Sequence, residues 1–153
     1  MDAQIDHAEV YLAETCRLFV LIALLAAAIG KTANFRRFRD SLDEAFPTLR
    51  RDGAMLIAAA ILIGEWSAAL LMLAGGAWSR AGLLLASGLF VFLTAVVAVV
   101  LAKGLSVRCN CFGASQRRIS GYDLLRNLLF IAAAGVGLCG ASVSGIAGVF
   151  GGL

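Results

Sequence analysis

The chain has 153 residues, the length of one domain, with 61% hydrophobic residues, 17 glycines besides and only 15% charged residues; soluble domains carry about 25% charge. A soluble globule of this size leaves too much of its chain exposed to hide so much apolar surface. A single Pro, no glycine period and no charged heptad exclude disorder, collagen and coiled coil, which leaves an integral membrane protein.

A bilayer core of about 30 Å takes roughly 20 apolar residues as a helix. Four stretches meet this, at about 11–30, 54–75, 80–102 and 122–148. They are continuous apolar runs, whereas a barrel would need alternating strands, so the predicted fold is all-α: a four-transmembrane-helix bundle, one integral membrane domain over 1–153. The chain starts acidic, with Asp2, Asp6 and Glu9, unlike the basic start of a signal peptide. The first span reaches back to about Tyr11 and so contains Glu14, Cys16 and Arg17.

Residues 31–53 form the longest polar stretch. Phe35, Phe38, Leu42 and Phe46 recur at helical spacing, with Arg36, Arg37, Arg39, Asp40, Asp43 and Glu44 on the other faces. This predicts a short interfacial amphipathic helix between helices one and two, stopped at Pro47. The second span is apolar except for Glu65 at its middle. A tight turn follows around 75–80, with Trp78 placed as an interfacial anchor. The connection from Lys103 to Ser120 carries Arg108-Cys109-Asn110-Cys111-Phe112-Gly113 and ends in Ser120-Gly121-Tyr122-Asp123, a capping box that opens the last helix. That helix carries Gly135, Gly137, Gly140, Ala141, Ser144, Gly145 and Gly148, a small-residue packing face.

Charge sets the expected topology. The first connection holds Lys31, Arg36, Arg37, Arg39, Arg50 and Arg51; the third, with its helix start, holds Lys103, Arg108, Arg117, Arg118 and Arg126. The other side has Arg80, plus Arg17 inside a span. Eleven against two predicts both long connections in the cytoplasm and both termini outside. The basic residues hug span ends, so the net charge of +3 reads as membrane orientation and not as nucleic-acid binding.

Cys109 and Cys111 are the leading candidates for chemistry. Residues two apart can reach disulfide distance, but the small ring is strained, and strained disulfides are readily reduced. Arg108 beside Cys109 favours a thiolate. The pair therefore suits thiol–disulfide exchange; the alternatives are inert loop cysteines or two ligands of a soft-metal site. No further Cys or Met in the loop completes such a site, and the one His stands at position 7, on the far side, so no metal is expected. Cys16 and Cys139 lie in spans toward the termini side and offer two readings: a second thiol pair completing an electron path across the membrane, or small residues in helix packing. Glu65 is expensive at mid-bilayer. Arg126 from the same side, Arg17 from the other and Asn127 by hydrogen bonding are its expected partners, forming either a structural ion pair or the polar end of a cavity.

Cys109-Asn110-Cys111-Phe112-Gly113 followed by Leu125-Arg126-Asn127 resembles the MauE branch of the DoxX-like membrane proteins; Gly30-Lys31 closing helix one and Glu65 in helix two also fit. The resemblance covers essentially the whole chain, and the C-x-C-F-G and R-N elements are its specific part. It implies a four-helix membrane protein of the bacterial inner membrane, associated with methylamine utilisation. There it would help mature a disulfide-rich dehydrogenase subunit with a thioredoxin-like partner. Carried onto this sequence, Cys109 and Cys111 are the redox pair, and Glu65, Arg126 and Asn127 the polar core; apart from the resemblance, a buried site shaped by Glu65 and Arg126 leaves room for a cavity of quinone size. Cys16 and Cys139 are not part of that pattern, and the chain is compact for the family. A role in maturing exported enzymes puts the Cys109/Cys111 loop in the periplasm, against the charge count.

The sequence thus leads to a membrane thiol–disulfide oxidoreductase working with a thioredoxin-like protein. Two rivals stand beside it. One is a non-catalytic scaffold that recruits soluble partners through the basic 31–53 segment. The other is a small transporter or copper-handling protein that uses the two thiols as ligands.

Overall fold

The computed structural model describes the backbone of residues 2–48, 51–104 and 120–150, and the side chains of 8–48, 52–104 and 120–140. Its helices are α1 (Asp2–Ala33), α2 (Phe35–Ala45), α3 (Arg51–Ala74), α4 (Gly76–Ala102) and α5 (Gly121–Phe150). Among the described residues there is no strand. Four segments are long and apolar enough to cross a membrane: Ala8–Ala33, Asp52–Ala74, Gly76–Ala102 and Gly121–Gly140.

These four helices form a ring in which α1 packs on α3, α3 on α4, α4 on α5 and α5 on α1. One end of the bundle carries α2, the end of α4 and the start of α5; the other carries the α3–α4 turn. Val20, Leu24, Ala68, Met72, Leu83, Ala86, Phe90, Phe130 and Ala134 fill the centre. Phe130 is its aromatic hub, with ring centroids 5.4 Å from Phe19 and 5.1 Å from Phe90. Leu18, Ile22, Ile29, Leu56, Ile63, Leu70 and Leu84 point outward and are more than half exposed. Helices apolar all round, with large aliphatics outside and Ala-rich contacts inside, suit a lipid solvent.

Glycine sets two close approaches. A Cβ on Gly82 would stand 2.8 Å from the Ala68 carbonyl oxygen, so α3 and α4 meet backbone to backbone there. A Cβ on Gly140 would stand 2.1 Å from the Ala13 Cβ, which brings α5 onto α1. The α3–α4 turn itself needs Gly75 and Gly76, at φ 73° and 53°, a region closed to most side chains. The helix α4 starts at once after this turn, which places Trp78 in its first turn, 64% exposed.

The amphipathic segment is α2, and protein covers its apolar face. Phe38 and Leu42 pack with Ala54, Ala58 and Ile61 of α3, and Ala45 packs with Val100 of α4. The break from α1 is slight. Asn34 N–H donates to the Gly30 carbonyl at 3.2 Å and Phe38 N–H to the Asn34 carbonyl at 3.1 Å. The first helix therefore bends at Asn34 and continues down the flank of α3, its charged face turned outward.

One arm of the predicted S-x-x-D box opens α5, while the Asp123 N–H donates to the Ser120 carbonyl at 3.0 Å. The Ser120 N–H donates to Asp123 Oδ2 at 2.9 Å, and the Ser120 hydroxyl reaches the same oxygen at 3.4 Å. Asp123 also meets Arg126 at 3.6 Å.

Candidate functional site

The polar centre of the bundle is built on Glu65, in the middle third of α3. Glu65 is 1% exposed, and its partner is Lys31 in the last turn of α1, also 1% exposed: Lys31 Nζ donates to Glu65 Oε1 at 2.5 Å. This corrects the expected pairing of Glu65 with Arg126. Arg126 meets the carboxylate of Asp123, on its own helix. Arg17, the other cation expected to reach Glu65, pairs instead with Glu14 at 3.2 Å toward the opposite end.

Lys31 is held from a further direction by Phe38. Its ammonium lies 5.4 Å from the centre of the Phe38 ring, an attractive arrangement for a desolvated cation. Phe38 is brought there by the bend at Asn34, so α2 closes the site from the connection end. One residue further along both helices, Trp66 Nε1 donates to Thr32 Oγ1 at 3.3 Å. The contacts Lys31–Glu65 and Thr32–Trp66 are successive rungs that tie α1 to α3. Asn127 of α5 is buried at 6% exposure.

Glu65 uses one oxygen. Its Oε2 is buried and accepts no hydrogen bond among the described residues. A carboxylate has capacity for several donors, and an unused buried acceptor is costly. The arrangement thus combines a fixed ion pair with one open acceptor, able to take a donor from a bound molecule or to carry a proton.

Arg108, Cys109 and Cys111 lie outside the described residues. The described ends of their connection, Lys103 after α4 and Ser120 before α5, stand at the bundle end that also carries α2. Cys16 is half-buried on α1 and Cys139 exposed on α5, and both are free thiols. Gly140 beside Cys139 supplies the close α1–α5 contact.

Lys31 is the site residue that sequence reasoning missed. Its spacing carried the signal. Val20, Leu24, Ala27 and Ala28 are the buried stripe of α1, and Lys31 continues it at helical period. A lysine on a buried stripe needs a carboxylate, and Glu65 was the intramembrane carboxylate without a settled partner.

No curated protein and no solved structure matches the chain. A family profile does, over residues 9–140, from the start of the first span through the Cys-x-Cys connection to the α1–α5 contact on Gly140. On that match the chain belongs to the MauE family, that of methylamine utilisation protein MauE.

Proposed function

We propose that this protein is a thiol–disulfide exchange component of the bacterial inner membrane. It would support disulfide formation in a partner enzyme of methylamine utilisation, through a thioredoxin-like protein. The observation that carries the reading is the Cys109-Asn110-Cys111 pair in a short basic connection, within a chain whose family is linked by its description to methylamine utilisation. In the exchange, one cysteine thiolate attacks a sulfur of the partner's disulfide. A mixed disulfide forms and the partner's other sulfur leaves as thiolate. The second cysteine then attacks the mixed disulfide and releases the partner as a dithiol. Two electrons pass from Cys109 and Cys111 to the partner in this direction; in reverse, a partner dithiol attacks the Cys109–Cys111 disulfide, leaves as a disulfide and passes two electrons to the pair, which is the direction that supports disulfide formation.

The ion pair of Lys31 and Glu65 ties α1 to α3, which pack against α5 and α4, the helices that flank the connection. The charge count favours a cytoplasmic connection. With Lys31 inside the bundle, ten basic residues remain at that end against Arg17 and Arg80 at the other, which leaves the asymmetry intact.

The test is complementation of methylamine-dependent growth. Cys109→Ser and Cys111→Ser should each abolish it, and the double variant should be no worse than either, because the two act as one unit. Full growth with both serines would refute the exchange reading and favour the scaffold that recruits partners through residues 31–53.

A further inference from the structure

A charge surplus marks the end of the bundle that carries α2. Ten basic residues stand there once Lys31 is taken into the bundle, against five acidic ones, Asp40, Asp43, Glu44, Asp52 and Asp123. The stretches at this end outside the described residues, 49–50 and 105–119, contain no Asp or Glu. Asp2, Asp6, Glu9 and Glu14 belong to the opposite end of α1, and Glu65 is taken by Lys31. No further acidic side chain is at hand to balance this end.

Arg39 of this end pairs with Asp40 at 2.6 Å and Arg126 with Asp123 at 3.6 Å. Arg36 and Arg37, in the first turn of α2, are exposed, and neither guanidinium has an ion pair or hydrogen bond among the described residues. Asp40, one turn on, gives its Oδ1 to Arg39. Asp43 and Glu44 stand about two turns from the two arginines along the helix. Since α2 buries Phe38 and Leu42 against α3, its face with Arg36 and Arg37 points away from the bundle. Both arginines line an open groove of about 330 Å³, whose other walls are Thr32, Ala33, Asn34 and Phe35. The groove begins where the apolar span Ala8–Ala33 ends. Ile22 and Ile29 on that span are more than half exposed, and Arg36 follows them at the same seven-residue spacing. Seven residues make close to two helical turns, and the bonds from Asn34 N–H to Gly30 and from Phe38 N–H to Asn34 carry the helix through its bend. The lipid-facing stripe of α1 thus leads to an arginine where hydrocarbon gives way to headgroups.

We propose that Arg36 and Arg37 hold the headgroup phosphate of an anionic phospholipid, with an acyl chain lying along the α1 face of Ile22 and Ile29. Guanidinium groups meet phosphate oxygens with paired N–H donors. A headgroup of net negative charge answers the surplus at this end, whereas a choline headgroup carries its own cation beside the phosphate. The apolar stripe that leads to the arginines favours a lipid over an acidic segment of a soluble protein, which would make no use of it.

The experiment measures thermal unfolding of the full chain in a neutral detergent at fixed ionic strength, with dioctanoyl phosphatidylglycerol, dioctanoyl phosphatidylcholine, inorganic phosphate or an oligoglutamate peptide added. A ligand of the folded state raises the midpoint with concentration. The phosphatidylglycerol should raise it most. Arg36→Gln with Arg37→Gln should leave the ligand-free midpoint near that of the parent, because both side chains are exposed. It should weaken the apparent affinity for phosphatidylglycerol about thirtyfold, from roughly 1 kcal/mol for each arginine at a membrane surface. Arg117→Gln with Arg118→Gln removes the same charge from the connection at this end and should weaken it by less than about threefold, since solvent screens charges outside the groove. Equal weakening by the two double variants would show a diffuse attraction and overturn the site. Equal shifts from the phosphatidylglycerol and phosphatidylcholine, or from phosphatidylglycerol and inorganic phosphate, overturn the anionic-lipid assignment. A shift from oligoglutamate as large as that from phosphatidylglycerol overturns it too and gives the arginines to an acidic protein segment.

Discussion

Lys31 and Glu65, 34 positions apart in the chain, meet as a hydrogen-bonded ion pair from which solvent is excluded on both sides, with the Phe38 ring over the lysine. Two consequences follow from that contact. It fixes the register of α1 against α3, since a shift of one residue on either helix would leave a charge alone in an apolar bundle. It also ties the position of α2 to the pair, because Phe38 reaches Lys31 only while the helix bends at Asn34.

Breaking the pair from one side should be severe. Lys31→Met or Glu65→Met alone leaves a buried group without its partner, a loss of about 3–5 kcal/mol by analogy with other buried ion pairs. Lys31→Met combined with Glu65→Met removes both charges and should recover most of that loss. Denaturant unfolding in detergent gives the interaction energy from the four proteins of this cycle. Additive losses would show that the two residues act independently. Arg126→Gln, by contrast, should show little coupling to Glu65→Gln.

Helix contact depends on two glycines more than on their neighbours. Gly82→Ala and Gly140→Ala would drive a methyl group into α3 and α1, and should lower stability by about 1–3 kcal/mol, the usual range for overpacking. Gly88 and Gly135 have open space where a Cβ would stand. Alanine there should be neutral or stabilise by up to about 1 kcal/mol through helix propensity. The four unfolding midpoints, measured in one detergent, separate the two classes.

The four spans and the amphipathic helix were legible because hydropathy and period act locally. Ser120 and Asp123 were legible for the same reason, being three residues apart on one turn. The partner of Glu65 was not. Charge counting treats every lysine at a span end as interfacial, and Lys31 stands one residue past an apolar run. Only its alignment with Val20, Leu24 and Ala28 distinguishes it, and that alignment matters once α3 is known to pack on that face. The burial of Phe38 and Leu42 against Ala54 and Ala58 was hidden similarly. An amphipathic pattern states that a face needs cover and leaves open whether lipid or protein supplies it.

The basic residues that remain at the α2 end once Lys31 is taken into the bundle predict a cytoplasmic Cys109/Cys111 connection. A membrane-impermeant maleimide should leave Cys109 and Cys111 unlabelled in intact, reduced cells and should label them in inverted vesicles. Cys16→Ser and Cys139→Ser in the background remove the other two thiols from the readout. Labelling in intact cells would reverse the topology and put the pair on the side where exported enzymes gain their disulfides.

The two loop cysteines should be unequal in mechanism although equal in their effect on growth. Attack requires a thiolate, and Arg108 adjoins Cys109 in the sequence, where its charge favours ionisation of that thiol. On the proposed exchange, Cys109 should be the attacking sulfur and Cys111 the one that resolves the mixed disulfide. Removing the resolving thiol stalls the reaction after its first step, so Cys111→Ser should accumulate a covalent adduct with a thioredoxin-like partner. The adduct runs as a shifted band on a non-reducing gel and disappears on reduction. Cys109→Ser lacks the attacker and should give no adduct. Arg108→Gln in the Cys111→Ser background should slow adduct formation and shift its pH dependence upward, as expected when a thiolate loses a neighbouring cation. If Cys109→Ser traps the partner and Cys111→Ser does not, the roles are exchanged and Arg108 does not set the order of attack.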